Sequence, residues 1–309
     1  MSIVKNFRPG SQTPGSVVTV GTFDGVHLGH FKILMALLEE AENSQLIPVV
    51  VTFYPHPQQI VLTKNGNPIR LLTDKVYKVN LLKEIGIPHV EVLDFDKEMA
   101  HLSYEEFIEI YLINKLNMKK MIVGHDHALG KNRQGKWPEL SALGKARGFS
   151  LTRVDPFYLN GFRVSSSSIR HFLNEGRIKT ASEYLGRNYS LSGKVVNGEK
   201  RGRVLDFPTA NLQIENKSLL VPLAGVYAVY VSLKGRQYKG MLNIGNRPTF
   251  DGKNTTIEVH LLEFNQMIYG ENLKIEFVKW LRPETKFRNV EALISQLKKD
   301  KEKCNKILN

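Results

Sequence analysis

Apolar and polar positions change period about halfway along the chain. Up to about residue 155, short β-branched runs alternate with amphipathic stretches. Val17 to Thr22 reads as a buried strand, Phe31 to Glu42 as a helix and Ile47 to Phe53 as a second strand. Asp74 to Ile85 follows as a helix with Leu81, Leu82 and Ile85 on one face, and His89 to Leu93 as a short strand. Ser103-Tyr104-Glu105-Glu106 is a capping box, serine with glutamate three residues on, and it opens another helix. Met118 to Val123 and Ser150 to Val154 complete the strands, around a helix from Pro138 to Arg147. This alternation predicts a Rossmann-like parallel sheet covered on both faces, with ligands outside the carboxyl ends of its strands.

From about residue 187 the period shortens. Leu191 to Val196, Val226 to Leu233, Gln237 to Ile244, Thr256 to Leu262 and Leu273 to Leu281 read as strands, with Gly, Pro and Asn between them. An antiparallel sheet or small barrel is expected there. A last helix, Val290 to Leu308, repeats apolar residues at Val290, Leu293, Ile294 and Leu297. Its other face carries Lys298, Lys299, Lys301 and Lys303, more simply a solvated surface than a nucleic-acid groove. The expected architecture is an α/β domain over residues 1–186 and an all-β barrel with a C-terminal helix over 187–309.

Composition narrows the partners. The 309 residues suit two globular domains, and 43 Lys and Arg against 30 Asp and Glu leave a net charge of +13. That balance favours a phosphorylated or polyanionic partner. The single cysteine, Cys304, excludes an intrachain disulfide and any Cys-based zinc site, and it fits a reducing compartment. With no long apolar run and no signal-peptide core at the N-terminus, a soluble, cytoplasmic protein without a membrane partner is expected. Homo-oligomerisation is left open.

The first strand leads into GTFDGVHLGH, Gly21 to His30. Glycines 21, 25 and 29 let backbone approach a ligand, and the next helix offers free N–H groups to an anion. His27 and His30 stand at i, i+3 and can face one point. A nucleotide phosphate site, a capped turn with surface histidines and a two-His metal site all fit the segment alone. VSSSSIR, Val164 to Arg170, opens a helix with hydroxyls and an arginine, a second anion-binding arrangement or simply a serine-rich cap.

Together these words resemble the nucleotidyltransferase superfamily with an HxGH signature. With FYPHP, Phe53 to Pro57, they are similar to the FMN adenylyltransferase module of bacterial bifunctional riboflavin kinase/FAD synthetases. The resemblance implies that His27 and His30 stabilise the triphosphate as catalytic residues, beside Gly21, Asp24 and Gly29. Ser165, Ser166, Ser167 and Arg170 would hold phosphates, with Asp126 and Arg133 further nucleotide contacts. Phe53, Pro55 and His56 would border the flavin. VGHDHALGKNRQGK, Val123 to Lys136, departs from the family's aromatic–Asp–aromatic–Arg–Phe–Gly word. Asp126, Gly130, Arg133 and Gly135 match, whereas His125 replaces an aromatic and Ala128-Leu129 replaces the Arg-Phe pair.

The second half carries GRVLDFPTANL (Gly202 to Leu212), GVYAV (Gly225 to Val229) and GMLNIGNRPTF (Gly240 to Phe250). EVHLLEF (Glu258 to Phe264) with IYG, and LRPETKF (Leu281 to Phe287), complete the set. In this order they are similar to the riboflavin kinase module of the same family, a Greek-key barrel. The resemblance implies Glu258 as the general base, Thr209 and Asn211 as Mg²⁺ and nucleotide ligands, and Gly202 and Arg203 near the phosphates. Arg282 and Phe287 would close the flavin site. Without its flanking words Glu258 reads more simply as an exposed strand residue paired with a lysine, and Lys200, Arg201 and Arg203 read equally as a solvated run. Asp206 stands where the family generally has glycine.

The whole implies a two-step enzyme. Riboflavin and ATP give FMN, then FMN and a second ATP give FAD and pyrophosphate, with Mg²⁺ as cofactor and no specific nucleic acid as partner. The alternatives are a riboflavin kinase with an impaired adenylyltransferase half and a flavin-sensing nucleic-acid-binding protein.

Overall fold

The computed structural model describes residues 14–61, 68–198, 207–249 and 252–308, with residues 246–249 and 252–254 as backbone only. By contact the chain divides after Ser166 into two compact units.

The first unit runs β1 (Ser16–Val20), α1 (Leu28–Ser44), β2 (Ile47–Tyr54), α2 (Pro57–Ile60), α3 (Lys75–Glu84), β3 (His89–Asp94), α4 (Lys97–His101) and α5 (Tyr104–Phe107). A π-helical stretch, Ile108–Asn114, continues α5 into β4 (Met118–Gly124). Then come α6 (Trp137–Arg147), β5 (Ser150–Val154) and a small hairpin of β6 (Tyr158–Leu159) and β7 (Phe162–Arg163). The five long strands form one sheet in the order β3-β2-β1-β4-β5, every neighbouring pair parallel.

Strand residues alternate faces, and both faces are apolar, as a doubly covered sheet requires. Val17, Val50, Val90 and Ile122 pack with Leu34, Leu37 and Ala41 of α1 and with Val79 and Leu82 of α3. Val18, Val49, Val51 and Met121 face Phe107, Ile108, Leu112 and Leu140 on the other side. The helix starts follow capping chemistry. Asp74 accepts from the Tyr77 N–H at the head of α3, and Ser103 and Glu106 form the expected capping box at α5.

The second unit contains most of α7 (Ser166–Asn174), α8 (Ile178–Leu185), the strands β8 (Tyr189–Val196), β9 (Ala210–Gln213), β10 (Gly225–Leu233), β11 (Arg236–Thr249), β12 (Gly252–Leu261) and β13 (Asn272–Arg282), and α9 (Val290–Ile307). Its strands close into an antiparallel barrel in the order β10-β11-β12-β9-β8-β13. Closure gives each described barrel strand a partner on both sides. Tyr227 and Phe277 are fully buried, edge to face with ring centroids 5.2 Å apart.

Helices α7 and α8 belong with this barrel by contact. The Leu223 N–H donates to the Leu173 carbonyl at 3.1 Å, and α8 packs on β8 and β13. The seam of α9 differs from the expected one. Val290 is exposed, and the helix docks through Leu297, Cys304, Ile307 and the following Leu308 onto Phe207, Val226, Ala228 and Met241.

Candidate active sites

Strand β1 ends where the sheet reverses order, with β2 and β3 to one side and β4 and β5 to the other. Loops diverge at such a switch point and leave a crevice outside the strand ends. The loop that enters it is strained. Phe23 has φ 46°, Gly25 φ 84° and Val26 φ 39°. Only the glycine takes up such angles freely, and each of the other two costs on the order of 1–3 kcal/mol.

Backbone held this way needs partners that over-determine it, and the segment leading into α3 provides them. The Asp24 carboxylate, almost wholly buried, accepts from the Leu72 N–H at 3.0 Å and from the Thr73 N–H at 3.1 Å. Thr73 Oγ1 in turn accepts from the Gly25 N–H at 3.1 Å. Ser166 Oγ donates to the Asp24 carbonyl at 2.9 Å. Asp24 is thus a buried clamp whose oxygens already face protein donors.

His27 caps α1, its Nδ1 accepting the His30 N–H at 3.2 Å. A backbone N–H only donates, so Nδ1 must present its lone pair and the neutral ring carries its proton on Nε2. The His27 and His30 rings stack with centroids 3.6 Å apart and 14° between their planes, and Phe23 meets His30 edge-on at 5.1 Å. Gly29 allows this closeness: a Cβ there would lie 3.1 Å from the His27 ring and 3.2 Å from the Val164 carbonyl. Gly21 does the same beneath the Phe23 ring, at 3.1 Å. Gly21 and Gly29 therefore serve ring packing.

The other expected residues of this unit lie at strand ends as well. His56 caps α2 after β2, its Nδ1 accepting the Gln58 N–H at 3.2 Å. Phe53 is a core residue of β2, and Pro55 follows it. In the loop after β4, Asp126 pairs with Arg163 at 2.7 Å, and Arg133 donates to the Asp126 carbonyl at 3.1 Å. Burial raises the Asp126 carboxyl, but the hydrogen bond and charge of Arg163 outweigh it and hold the group below the usual carboxylate range. Burial pushes the neighbouring His127 imidazole down to about 4, so it is a neutral flat ring at physiological pH.

Leu129 packs in the core beside Phe107 and Leu140, so an apolar side chain fills the site where the family word has phenylalanine. Gly130 and Gly135 press the loop onto Tyr104: a Cβ on Gly130 would come within 2.4 Å of the Tyr104 nitrogen. Ser165 and Ser166 lie at the start of α7, and Ser167 and Arg170 follow in its first turn within the second unit.

Lys78 escaped the sequence reading. It is buried on α3, and its Nζ donates to the Thr22 carbonyl at 3.0 Å, Thr52 Oγ1 at 2.9 Å and the Phe53 carbonyl at 3.1 Å. Burial drives its ammonium down to about 8, against the pull of Asp24 and with the push of Lys75. Nothing in the local pattern marks it, because its partners are far off in sequence.

In the barrel, Glu258 on β12 stands in register between Asn211 of β9 and Asn243 of β11. Residues directly opposite on neighbouring strands share a face, so three polar side chains form a row across three strands. Thr209 Oγ1 donates to Glu258 Oε2 at 3.4 Å. Gly198 crowds the row: a Cβ there would sit 2.0 Å from Asn211 Nδ2. Thr209 also lines a cleft of about 480 Å³ with Val195, Val259, Leu261, Phe264 and Tyr269.

His260 positions the loop before β9 by a hydrogen bond between Nδ1 and the Pro208 carbonyl at 2.8 Å, which requires the proton on Nδ1. Arg282, expected at the flavin, donates through Nε to the fully buried Asp300 of α9 at 2.8 Å and lies over the Phe287 ring at 5.6 Å. Gly202, Arg203 and Asp206 lie outside the described residues. Among the described residues no three His, Cys, Asp or Glu side chains gather as a metal cage. The Thr209 hydroxyl, the Asn211 amide and the Glu258 carboxylate are hard oxygen donors of the kind Mg²⁺ takes.

Comparison with known proteins agrees with both halves. A family model described as FAD synthetase matches residues 10–168, and one described as riboflavin kinase matches residues 185–308. A bifunctional riboflavin kinase/FMN adenylyltransferase of Bacillus subtilis is 39% identical over 94% of this chain and 91% of its own length. That of Escherichia coli is 35% identical over 97% and 96%. A solved structure described as a macrolide-efflux protein from Streptococcus pneumoniae superposes with a TM-score of 0.87 at 31% identity, covering 97% of this chain and 96% of that one. Among the described residues no helix is long and apolar enough to cross a membrane. With two family models in tandem, and relatives at this identity along nearly the whole chain, the chain belongs to the bifunctional riboflavin kinase/FMN adenylyltransferase family.

Proposed function

We propose that this chain makes both flavin coenzymes from riboflavin. Residues 187–309 transfer the γ-phosphoryl group of ATP to the riboflavin 5′-hydroxyl, giving FMN and ADP. Residues 1–186 then join FMN to the α-phosphorus of a second ATP, giving FAD and pyrophosphate. The observation that carries this reading is that the His27–His30 pair and the Thr209–Asn211–Glu258 row are each built within one compact unit. Two reactions on separate sites suit that arrangement.

In adenylyl transfer a phosphate oxygen of FMN attacks and pyrophosphate leaves, so the protein's task is positioning and electrostatics. The Nε2–H of His27 is the natural donor to the triphosphate, with its tautomer set by the helix cap. His30, stacked on it, lies at the same strand end. Arg133, Asp126, Ser165 and Ser166 complete the nucleotide contacts of this unit, and Phe53, Pro55 and His56 border the flavin. Asp24 and the two motif glycines act by shape.

In the barrel, Glu258 takes the proton of the 5′-hydroxyl, and Thr209 holds its carboxylate in place. Mg²⁺, held by Thr209 and Asn211, would neutralise charge on the triphosphate. Phe287, steadied by Arg282, borders the riboflavin ring. A cytoplasmic setting fits the ATP-dependent chemistry and the lone, buried cysteine. The burial of Leu129 favours an intact adenylyltransferase over the impaired-half alternative.

The test is chromatographic separation of FMN and FAD after incubation with ATP and Mg²⁺, starting once from riboflavin and once from FMN. FAD from both starts is expected, and no FAD from added FMN would remove the first site from the proposal. E258Q should stop FMN formation and leave FMN-to-FAD conversion intact. Loss of both steps together would refute the two-site assignment.

A further inference from the structure

The strained loop between β1 and α1 is gripped on two flanks by one short stretch of chain. Leu72 and Thr73 hold the Asp24 carboxylate, and one helical turn into α3 Lys78 holds the Thr22 carbonyl. The same ammonium reaches Thr52 Oγ1 and the Phe53 carbonyl, at the carboxyl end of the neighbouring strand. Thr52 Oγ1 itself donates to the Thr22 carbonyl at 3.1 Å. An ammonium has three protons and no lone pair, and here three acceptors receive them. Phe23, the next residue after Thr22, opens the stretch in which Phe23, Gly25 and Val26 take positive φ, just before His27.

We infer that Lys78 is a positioning residue for adenylyl transfer: its charged head ties the roots of the GTFDGVH and FYPHP loops together and so fixes where His27 and the flavin-facing residues stand. The inference rests on the proposed adenylyltransferase activity of the first unit. The lysine is buried and its three protons are taken up by protein acceptors, so its effect passes through the loops it holds.

A consequence follows for pH. A neutral amine keeps two protons and gains a lone pair, which would face one of three oxygens that need a donor. With the ammonium lowered to about 8, that loss falls within a working range. The charged groups around it are Asp24, on the gripped loop, which favours the proton, and Lys75, on its own helix, which opposes it. Because the folded lysine sheds its proton before an unfolded one does, stability contributed by this group rises with pH between the two values. An alkaline fall in activity through Lys78 is therefore not an unfolding event.

The experiment compares wild type, K78M and K78R for FMN-to-FAD and riboflavin-to-FMN conversion between pH 6 and 10. Wild type should lose kcat/KM for FAD formation on an alkaline limb near pH 8, with its kinase activity showing no such limb. K78M, with no donor, should run FAD formation roughly 10- to 100-fold slower at every pH, since small misplacements of reacting groups cost that much. Amide exchange should then quicken at residues 21–27 while β1 and β2 stay protected. K78R keeps its charge throughout the range and should lose the alkaline limb while retaining activity. K78M within twofold of wild type, or an unchanged limb in K78R, would overturn the inference. If K78M does not hold its sheet, the K78R profile decides alone. A wild type that makes no FAD at any pH would instead sink the adenylyltransferase reading.

Discussion

A cap can be kept while a proton donor is removed, and His27 offers that separation. Asparagine is as good a helix N-cap as any residue, but it has no counterpart to the imidazole Nε2–H. H27N should therefore leave thermal stability within about 1 kcal/mol of wild type while slowing FMN-to-FAD conversion roughly 10²-fold. Parallel melting curves and single-turnover assays would check the pair of outcomes. Gly198 makes the matching case in the barrel. Any side chain there displaces Asn211, so G198A should cut riboflavin phosphorylation at least about tenfold and leave FAD formation from FMN untouched. At this scale the chain's words were readable where chemistry and sequence neighbours coincide, as for His27 with His30 or Thr209 with Asn211. They were silent where a residue works at long range. Lys78 bonds a carbonyl 56 residues away, and His260 one 52 residues away. Arg282 likewise bonds a carboxylate outside its own word, Asp300 of α9.

Elements with a clear apolar period were legible in the sequence, with ends that differ by up to five residues, as at β11, which runs on to Thr249. β5 falls on its expected bounds, and β2 runs one residue past them. Those missed are short or fall inside motifs. α8 spans eight residues, β9 only four, and each hairpin strand two. Periodicity has too few repeats to speak at that length, and PTAN drew attention to its chemistry instead of its strand. In α9 the expected apolar stripe begins too early, because the helix is fixed as much by an ion pair as by its seam. Asp300 is fully buried, accepting from Arg282 and from Gln296 Nε2 at 2.9 Å. R282M should strand that carboxylate and destabilise the barrel by on the order of 3 kcal/mol in urea unfolding followed at Trp280. Cys304 offers a second readout of the same helix. Its thiol is fully buried, and burial first, then the nearby Asp300 charge, push it up to about 12. It should resist alkylation at pH 8 until α9 undocks, and react faster in R282M.

For the whole molecule, two periods in one sequence became two compact units, each with its own core and its own polar site. The contact division after Ser166 sets a practical consequence. A fragment of residues 167–309 keeps α7 and α8 on the barrel and should phosphorylate riboflavin. A fragment of residues 187–309 loses that cover and should melt roughly 5–10 °C lower, measurable by calorimetry. The barrel itself has one thin stave. Among the described residues β9 joins β8 through three residue pairs and β12 through two, whereas β10 and β11 share nine. Ring closure therefore hangs on the strand that carries Asn211 and follows Thr209. A nucleotide and its metal, seated there, would rivet the hoop: at a ligand concentration 100-fold above Kd, closure gains about 2.7 kcal/mol. Amide exchange at residues 210–213 should slow sharply on adding ADP and Mg²⁺, while β10 and β11 barely change. In such a vessel the cargo would help to hold the cask shut, and an empty enzyme would be the one most exposed to coming apart at its seam.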